Sequence, residues 1–82
     1  MNIKFTNRAR KDLRRLPPKA KEQVREAILS LAEDPRRGIK LSGRWEGYRR
    51  LRSGDYRIIY RIYGDELIVH YVRHRKEAYR RS

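Results

Sequence analysis

Arginines are the residues of this chain with the clearest capacity for chemistry. Five of them fall in the stretch GYRRLRSGDYRIIYRI, and these are Arg49, Arg50, Arg52, Arg57 and Arg61. Guanidinium groups stay charged in proteins and present forked donors that match the geometry of a phosphate. A surface built from them suits a polyanion, and cations aimed at a reacting phosphorus would stabilise the negative charge that develops there.

Groups that could move a proton lie in the basic tail RHRKEAYRRS. Arginine does not release its proton in proteins, so it can lower a barrier only by positioning and charge. Histidine exchanges a proton near neutral pH, which makes His74 a candidate acid for a leaving oxygen. Tyr79 is a candidate stacking or acid/base group. His70 lies inside the apolar run ELIVHYV and is interpreted as a structural histidine.

The strand pattern predicts where the arginines point. The sequence SGD between two runs of Arg, Tyr, Leu and Ile predicts a hairpin turn. Side chains alternate across a strand, so Arg50 and Arg52 share a face with Tyr48, while Arg57 and Arg61 share one face of the next strand. The other face of that strand carries the residues predicted to face the core: Tyr56, Ile58, Tyr60 and Ile62. If the arginine faces coincide, the sheet has one apolar and one cationic side.

The N-terminal part of the chain predicts a strand and two helices. Residues 2–5 alternate polar and apolar side chains, as in a strand. A first helix is predicted at 7–15 with Thr6 as its N-cap, and two prolines end it. Apolar residues at helical spacing then predict a second helix from Lys19 to about Glu33.

The C-terminal half predicts the remaining strands. Residues 36–46 show no period and are predicted to form a loop anchored by Leu41 and Trp45. The hairpin follows, then a last strand at 66–72 and a tail that could form one helical turn. The order β-α-α-β-β-β defines an α+β fold: an N-terminal strand, a helical hairpin and a three-stranded antiparallel meander, with the helices on one sheet face.

Composition limits the class of protein. The 82 residues, with 23 Lys and Arg against 10 Asp and Glu, carry a formal charge of +13 and are expected to form one domain over residues 1–82. Such an excess predicts an anionic partner, with nucleic acid as the first candidate, although surface charge in a thermostable protein is an alternative. The chain has no cysteine, signal segment or membrane span, so we expect a soluble, cytoplasmic protein. Without metal-ligand spacings, neither a metal nor a cofactor is predicted.

The core KLSGRWEGYRRLRSGDYRIIYRI and the closing VRHRKEAYR carry a family resemblance. Together with the element order, they resemble the RelE/ParE superfamily of toxins from prokaryotic type II toxin-antitoxin modules. The most diagnostic pieces are the hairpin R-x-G-[DS]-Y-R-[ILV]-[ILV]-Y and the basic tail with its tyrosine. RelE-like members cleave messenger RNA in the ribosomal A site, whereas ParE-like members poison DNA gyrase without cleaving RNA.

The resemblance implies a site, residue by residue. The family's basic second-strand residues, its arginine after the turn, its basic residue closing the last strand and its tail tyrosine match Arg49, Arg50, Arg57, Arg73 and Tyr79. The candidate catalytic residues are therefore Arg57, Arg73, Tyr79, Arg50 and His74. The candidate substrate-binding residues are Arg49, Arg52, Tyr48 and Arg75. Family members commonly carry lysines where this chain has arginines on the second strand.

Three functions follow from the resemblance as expectations. The first is a metal-independent, ribosome-dependent endoribonuclease in which the 2′-hydroxyl attacks the adjacent phosphorus, leaving a 2′,3′-cyclic phosphate. The second is a gyrase-binding toxin, and the third is a catalytically silent nucleic-acid-binding domain, which the missing lysines favour. A toxin implies a cognate antitoxin with an acidic binding segment, and the ribosome and messenger RNA as further partners. Whether the toxin itself forms oligomers is left open.

Overall fold

A computed structural model of the protein describes residues 1–78, which form a mixed five-stranded sheet with two helices packed on one face. The strands are β1 Asn2–Phe5, β2 Ile39–Lys40, β3 Tyr48–Ser53, β4 Tyr56–Tyr63 and β5 Glu66–His74. The helices are α1 Asn7–Arg14, α2 Pro18–Ser30 and the short α3 Arg75–Ala78. The predicted α+β fold is confirmed, including its N-terminal strand, helical hairpin and antiparallel meander.

The sheet order is β1-β5-β4-β3-β2, so the N-terminal strand lies beside the last one. β1 runs parallel to β5, whereas all other neighbours are antiparallel. The prediction that residues 36–46 form a loop was incomplete. They contain β2, which pairs with β3, and a 3-10 helix at Gly43–Trp45. A strand of two residues is too short to show alternation in the sequence. It is recognised only through its pairing with β3.

Helix α1 begins where the sequence predicted. The side-chain oxygen of Thr6 accepts a hydrogen bond from the Ala9 amide at 3.0 Å, as expected of an N-cap. The same hydroxyl donates to the His70 carbonyl at 3.0 Å, and Asp12 accepts from the Val72 amide at 3.0 Å. β1 pairs with β5 only as far as Val69. The two hydrogen bonds therefore provide partners for backbone groups of β5 that lie beyond the end of β1.

The core lies between the helices and the sheet. It contains Ala9, Leu16, Val24, Ile28, Leu31, Ile58, Tyr60, Leu67, Val69 and Val72, all of them buried. The two helices contribute stripes at helical spacing and β4 contributes alternate residues, as the sequence predicted. From β5 the core takes Leu67, Val69 and Val72, and the β-bulge at His70 interrupts their alternation. None of the helices that the structure describes is long and apolar enough to cross a membrane.

Tyr60 ties the segment before β2 to the sheet. Its fully buried hydroxyl donates to the Pro35 carbonyl at 2.7 Å and accepts from the Gly38 amide at 2.9 Å. Burial raises the pKa of Tyr60 above its usual value of 10.0, even though the hydrogen bond from Gly38 and the charge of Arg49 act in the opposite direction. The phenol is therefore a structural donor and acceptor.

We expect Tyr60→Phe to lower the free energy of unfolding at neutral pH by about 1–3 kcal/mol, because the buried Gly38 amide loses its acceptor. The folded state holds the Tyr60 proton at pH values where the unfolded chain has released it. The native protein should therefore lose stability as pH rises above 10. The variant has no phenol at this position and should lack this part of the pH dependence. Urea unfolding of both proteins at neutral pH and above pH 10 measures this. A stability difference that stays constant over that interval would contradict the assignment.

Candidate nucleic-acid interface

Three arginines form a row across the sheet on the face opposite the helices. Arg52 of β3 lies directly opposite Arg57 of β4, and Arg57 lies directly opposite Arg73 of β5. Side chains in such positions leave the sheet about 5 Å apart and on the same side. The strand register shows that the two arginine faces coincide, which the sequence had left as a condition. We call these three residues the arginine row.

The members of the arginine row differ sharply in exposure. Arg52 is exposed and Arg73 half-buried, but Arg57 is only 2% exposed. The sequence placed Arg57 on the correct face, but the expectation of an open cationic surface at this position was wrong. Next to it, α3 contacts both β4 and β5, and the Arg75 amide donates to the Asp55 carbonyl at 2.6 Å. Arginines placed directly opposite one another in a ladder repel, which points to a role of the row other than stability.

The next two rows of this face are less cationic. Arg50, Ile59 and Tyr71 lie in register, followed by Tyr48 and Arg61. The register between β4 and β5 shifts after Ile59, where β5 carries a β-bulge. His70 is the residue without an opposite partner in that ladder, and its ring turns to this face of the sheet, where it meets the ring of Tyr48.

Four rings meet beside the arginine row. The centroid of Trp45 lies 5.5 Å from that of Tyr48 and 5.6 Å from that of Tyr71, and Tyr48 lies 5.0 Å from His70. All three contacts are edge-to-face. Burial, helped by the charge of Arg61, lowers the pKa of His70 below its usual 6.5, so this imidazole is neutral at pH 7. We call these four residues the aromatic cluster.

Three further contacts bring cations onto these rings. The guanidinium carbon of Arg61 lies 5.3 Å from the ring centroid of Tyr48. Those of Arg73 and Arg8 each lie 5.1 Å from the centroid of Tyr71. Arg8 belongs to α1 and reaches this face because α1 follows the open edge of β5. Arginine stacks on aromatic faces with a favourable electrostatic component.

The structure brings five of the predicted site residues to one face: Tyr48, Arg50, Arg52, Arg57 and Arg73. It separates Arg49, whose register partner is the core residue Tyr60. The Arg49 guanidinium donates to the carbonyl oxygens of Arg36 and Gly38 at 3.2 and 2.9 Å. Arg49 thus supports the loop before β2 rather than the cationic face.

The two predicted residues at the end of β5 also lie apart from the arginine row. His74 pairs with Tyr56, so it lies on the side of the sheet opposite Arg57, with its ring 5.3 Å from that of Tyr56. Arg75 is exposed and its guanidinium lies 3.8 Å from the Asp55 carboxylate. Tyr79 lies outside the described residues. Among residues 1–78, no three His, Asp or Glu side chains form a group that could hold a metal ion.

Sequence reasoning missed part of this face. Trp45 was predicted only as a loop anchor and His70 as a structural residue, and Tyr71 and Arg8 were not predicted at all. The sequence did contain a signal for Tyr71. It lies two residues before Arg73, so strand alternation places the two side chains on the same face of β5. The bulge that turns His70 to the same side has no comparable signature in the sequence.

The chain belongs to the RelE/ParE superfamily of type II toxin-antitoxin toxins. Residues 3–79 match the family model described as the ParE toxin of the type II toxin-antitoxin system, parDE. The chain is 39% identical to toxin RelG of Mycobacterium tuberculosis, over 96% of this chain and 95% of that protein. It is 31% identical to the mRNA interferase toxin RelE of Escherichia coli, over 94% and 87%. The resemblance stated from the sequence is confirmed.

A solved structure agrees with the sequence comparisons. The RelBE toxin-antitoxin complex from Mycobacterium tuberculosis contains a chain that superposes with a TM-score of 0.83 at 34% identity. The superposition covers 89% of this chain and 95% of that one. The likeness therefore extends over most of the chain.

Proposed function

We propose that this toxin is a ribosome-dependent endoribonuclease that cleaves messenger RNA in the ribosomal A site and so arrests translation in the cytoplasm. The observation that carries the proposal is the arginine row, with its buried central guanidinium, on the sheet face opposite α1 and α2. Such a row offers several phosphate-binding groups but no carboxylate nucleophile. The relationship to a protein named as an mRNA interferase supports the same chemistry.

In the proposed reaction, the 2′-oxygen forms a bond to the adjacent phosphorus, the bond to the 5′-oxygen breaks, and a 2′,3′-cyclic phosphate remains. Arg52 and Arg73, as the more accessible members of the row, bind the phosphate oxygens. Arg57 supplies positive potential from a site where little water screens it, and this potential favours the doubly charged phosphorane. The chain's contribution is thus positioning and charge, without a metal.

Proton transfer requires a group outside the arginine row, because arginine keeps its proton. The 2′-hydroxyl must lose a proton and the leaving 5′-oxygen must gain one. We assign the first role to Tyr79, the remaining acid/base candidate of the basic tail, as general base or through a water. The leaving 5′-oxygen takes its proton from solvent water, because the position of His74 in β5 turns that side chain away from Arg57.

The test is a cell-free translation reaction with a defined messenger, whose 5′ ends are mapped by primer extension. We expect ribosome-dependent cuts within A-site codons, with 2′,3′-cyclic phosphate ends, that disappear when the cognate antitoxin is added. Intact messenger in a reaction that the toxin still arrests would overturn the proposal.

Gyrase inhibition is the second candidate function, because the matching family model is described as a ParE toxin and the resemblance to ParE-like members implies gyrase as a target. A gyrase-directed toxin would leave messengers intact and translation normal. It would instead block supercoiling by purified gyrase. The two candidates therefore predict opposite results in the same pair of assays.

We also propose a cognate antitoxin with an acidic amphipathic segment as the protein partner, in line with the toxin-antitoxin complex to which this chain is similar. A groove of about 390 Å³ between α1 and α2 has the matching chemistry. Its apolar lining is Phe5, Leu13, Ile28 and Leu29, and its cationic lining is Arg14, Lys21 and Arg25. Leu29 is 56% exposed. An apolar floor with a basic rim fits a helix that carries apolar residues on one side and carboxylates on both flanks.

Salt provides an independent check on the kind of target. If the cationic toxin contacts at least three ribosomal phosphates, log affinity for the ribosome should fall with log salt at a slope of about −2 or steeper, since each contact contributes about −0.7. A fourfold rise in salt should then weaken binding roughly 20-fold or more. Sedimentation of toxin with ribosomes over a salt series measures the slope, and a flat response would indicate that phosphates are not the main contact.

A further inference from the structure

The aromatic cluster is a second feature of the cationic face, distinct from the hydrophobic core. Its rings lie on the side of the sheet opposite α1 and α2, and Trp45 remains 38% exposed. The rings meet one another edge-to-face, with interplanar angles between 77° and 88°. This arrangement holds the rings in fixed orientations without stacking them on each other. The exposed part of Trp45 is therefore preorganised aromatic surface beside the arginine row, and guanidinium groups lie against the rings of Tyr48 and Tyr71.

The cations around the cluster add a second property. Arg61, Arg73 and Arg8 all place a guanidinium within 5.3 Å of a ring centroid. Planar guanidinium groups and aromatic rings are the two kinds of surface on which unstacked bases of single-stranded RNA lie. A purely apolar ligand would not require three charged groups here, and a purely anionic ligand would not require the rings.

The cluster is also placed correctly relative to the arginine row. Tyr71 is two residues from Arg73 on the same face of β5, a distance of about 7 Å along the strand. Arg73 belongs to the arginine row through its register with Arg57 and touches the Tyr71 ring with its guanidinium. A strand of RNA with its phosphate on the arginine row would therefore bring an adjacent base to the aromatic cluster.

We propose that Trp45, Tyr48, His70 and Tyr71, with the arginines that flank them, form a binding platform for an unstacked nucleobase of single-stranded RNA next to the phosphate on the arginine row. This inference deepens the proposed function, on which its biological role rests. The ligand class is a nucleotide recognised through the face of its base. Stacking tolerates any base, so the platform positions the substrate without selecting one sequence.

Trp45 is the only tryptophan of the chain, which makes its fluorescence a direct reporter of the platform. The probe is a short 2′-O-methyl oligonucleotide, which cannot be cleaved because its 2′-oxygen is blocked. The matched controls are the same oligonucleotide with abasic residues and inorganic polyphosphate. We expect saturable quenching by the base-bearing probe alone, while all three compete for the arginines in an anisotropy assay. Equal quenching by the abasic probe, or no quenching by the base-bearing probe when anisotropy shows binding, would overturn the proposal.

Variants of Tyr71 separate stacking from other roles of the ring. Tyr71→Phe retains the aromatic face and should bind the base-bearing probe within about twofold of the native protein. Tyr71→Leu retains apolar bulk without the face and should bind it about 5- to 150-fold more weakly, the range seen for one stacked base. Tyr71→Phe should bind the abasic probe as the native protein does, and Tyr71→Leu should lose less affinity for the abasic probe than for the base-bearing one, because only the support of Arg73 by the ring is lost there. Equal losses in the two variants, or a loss for the abasic probe as large as that for the base-bearing probe, would contradict stacking.

Two further measurements keep the outcomes distinct. Thermal unfolding checks that Tyr71→Leu is folded, and if it is not, Trp45→Leu repeats the comparison with a labelled oligonucleotide. Base-dependent quenching without messenger cleavage would remove the proposed function and leave the platform. Messenger cleavage without base-dependent quenching would remove the platform and leave the proposed function.

Discussion

Arg57→Met is expected to abolish messenger cleavage and growth arrest while the domain stays folded. The Met side chain is about as long as the arginine stem and fills the same buried space, so packing around β4 is retained. What the variant loses is the positive potential at the centre of the arginine row. Removing one well-placed donor to a developing oxyanion typically costs about 10²- to 10³-fold in rate, and here the flanking guanidinium groups cannot move into the buried position. Primer extension after cell-free translation measures the loss.

Two control variants define this effect. Arg57→Lys keeps the charge but loses the forked N–H donors of the guanidinium group, and we expect it to retain only part of the activity. Arg10→Met removes an equal charge from the exposed surface of α1 and should leave cleavage nearly unchanged. Circular dichroism and thermal unfolding establish that each variant is folded. Undiminished arrest by folded Arg57→Met would refute the assignment of the arginine row as the site.

Gly38→Ala is expected to lower the free energy of unfolding by about 2–4 kcal/mol, combining overpacking with weakened Tyr60 hydrogen bonds. An added Cβ would lie 2.6 Å from the Tyr60 hydroxyl and 2.8 Å from its ring, and 2.9 Å from the backbone oxygen of Arg50. None of these groups is the free end of a flexible side chain. A domain of this length has only about 4–12 kcal/mol of stability in total, so the melting temperature should fall by at least about 8 °C.

Gly43→Ala is the matched control for this prediction. Gly43 has a φ of +64°, and nothing lies within 4 Å of the added Cβ, so the control costs only backbone strain, about 1 kcal/mol. In a Tyr60→Leu background the ring and hydroxyl are absent, and Gly38→Ala should cost less than in the native protein. An identical cost in both backgrounds would show that the contact with Tyr60 is not the cause.

Local patterns were sufficient to predict much of this protein. Thr6 and the two prolines mark helix boundaries through backbone chemistry that acts within a few residues, and both boundaries were confirmed. Strand alternation assigned Arg50 and Arg52 to one face of their strand because the period of two is a property of the backbone itself, whereas their shared face with Arg57 follows from the register of β3 with β4. The same alternation separates Arg49 from these three, although the family resemblance had grouped it with them.

The sequence by itself determined which residues of one strand share a face, and the tertiary structure alone decided which faces coincide, which residues are accessible and which of them meet. Burial of Arg57, the contact of Arg8 with Tyr71 and the close approach of Gly38 to Tyr60 each join segments distant in the chain. The bulge at His70 depends on the register between β4 and β5. Such features arise from packing between elements, so no local period or propensity encodes them.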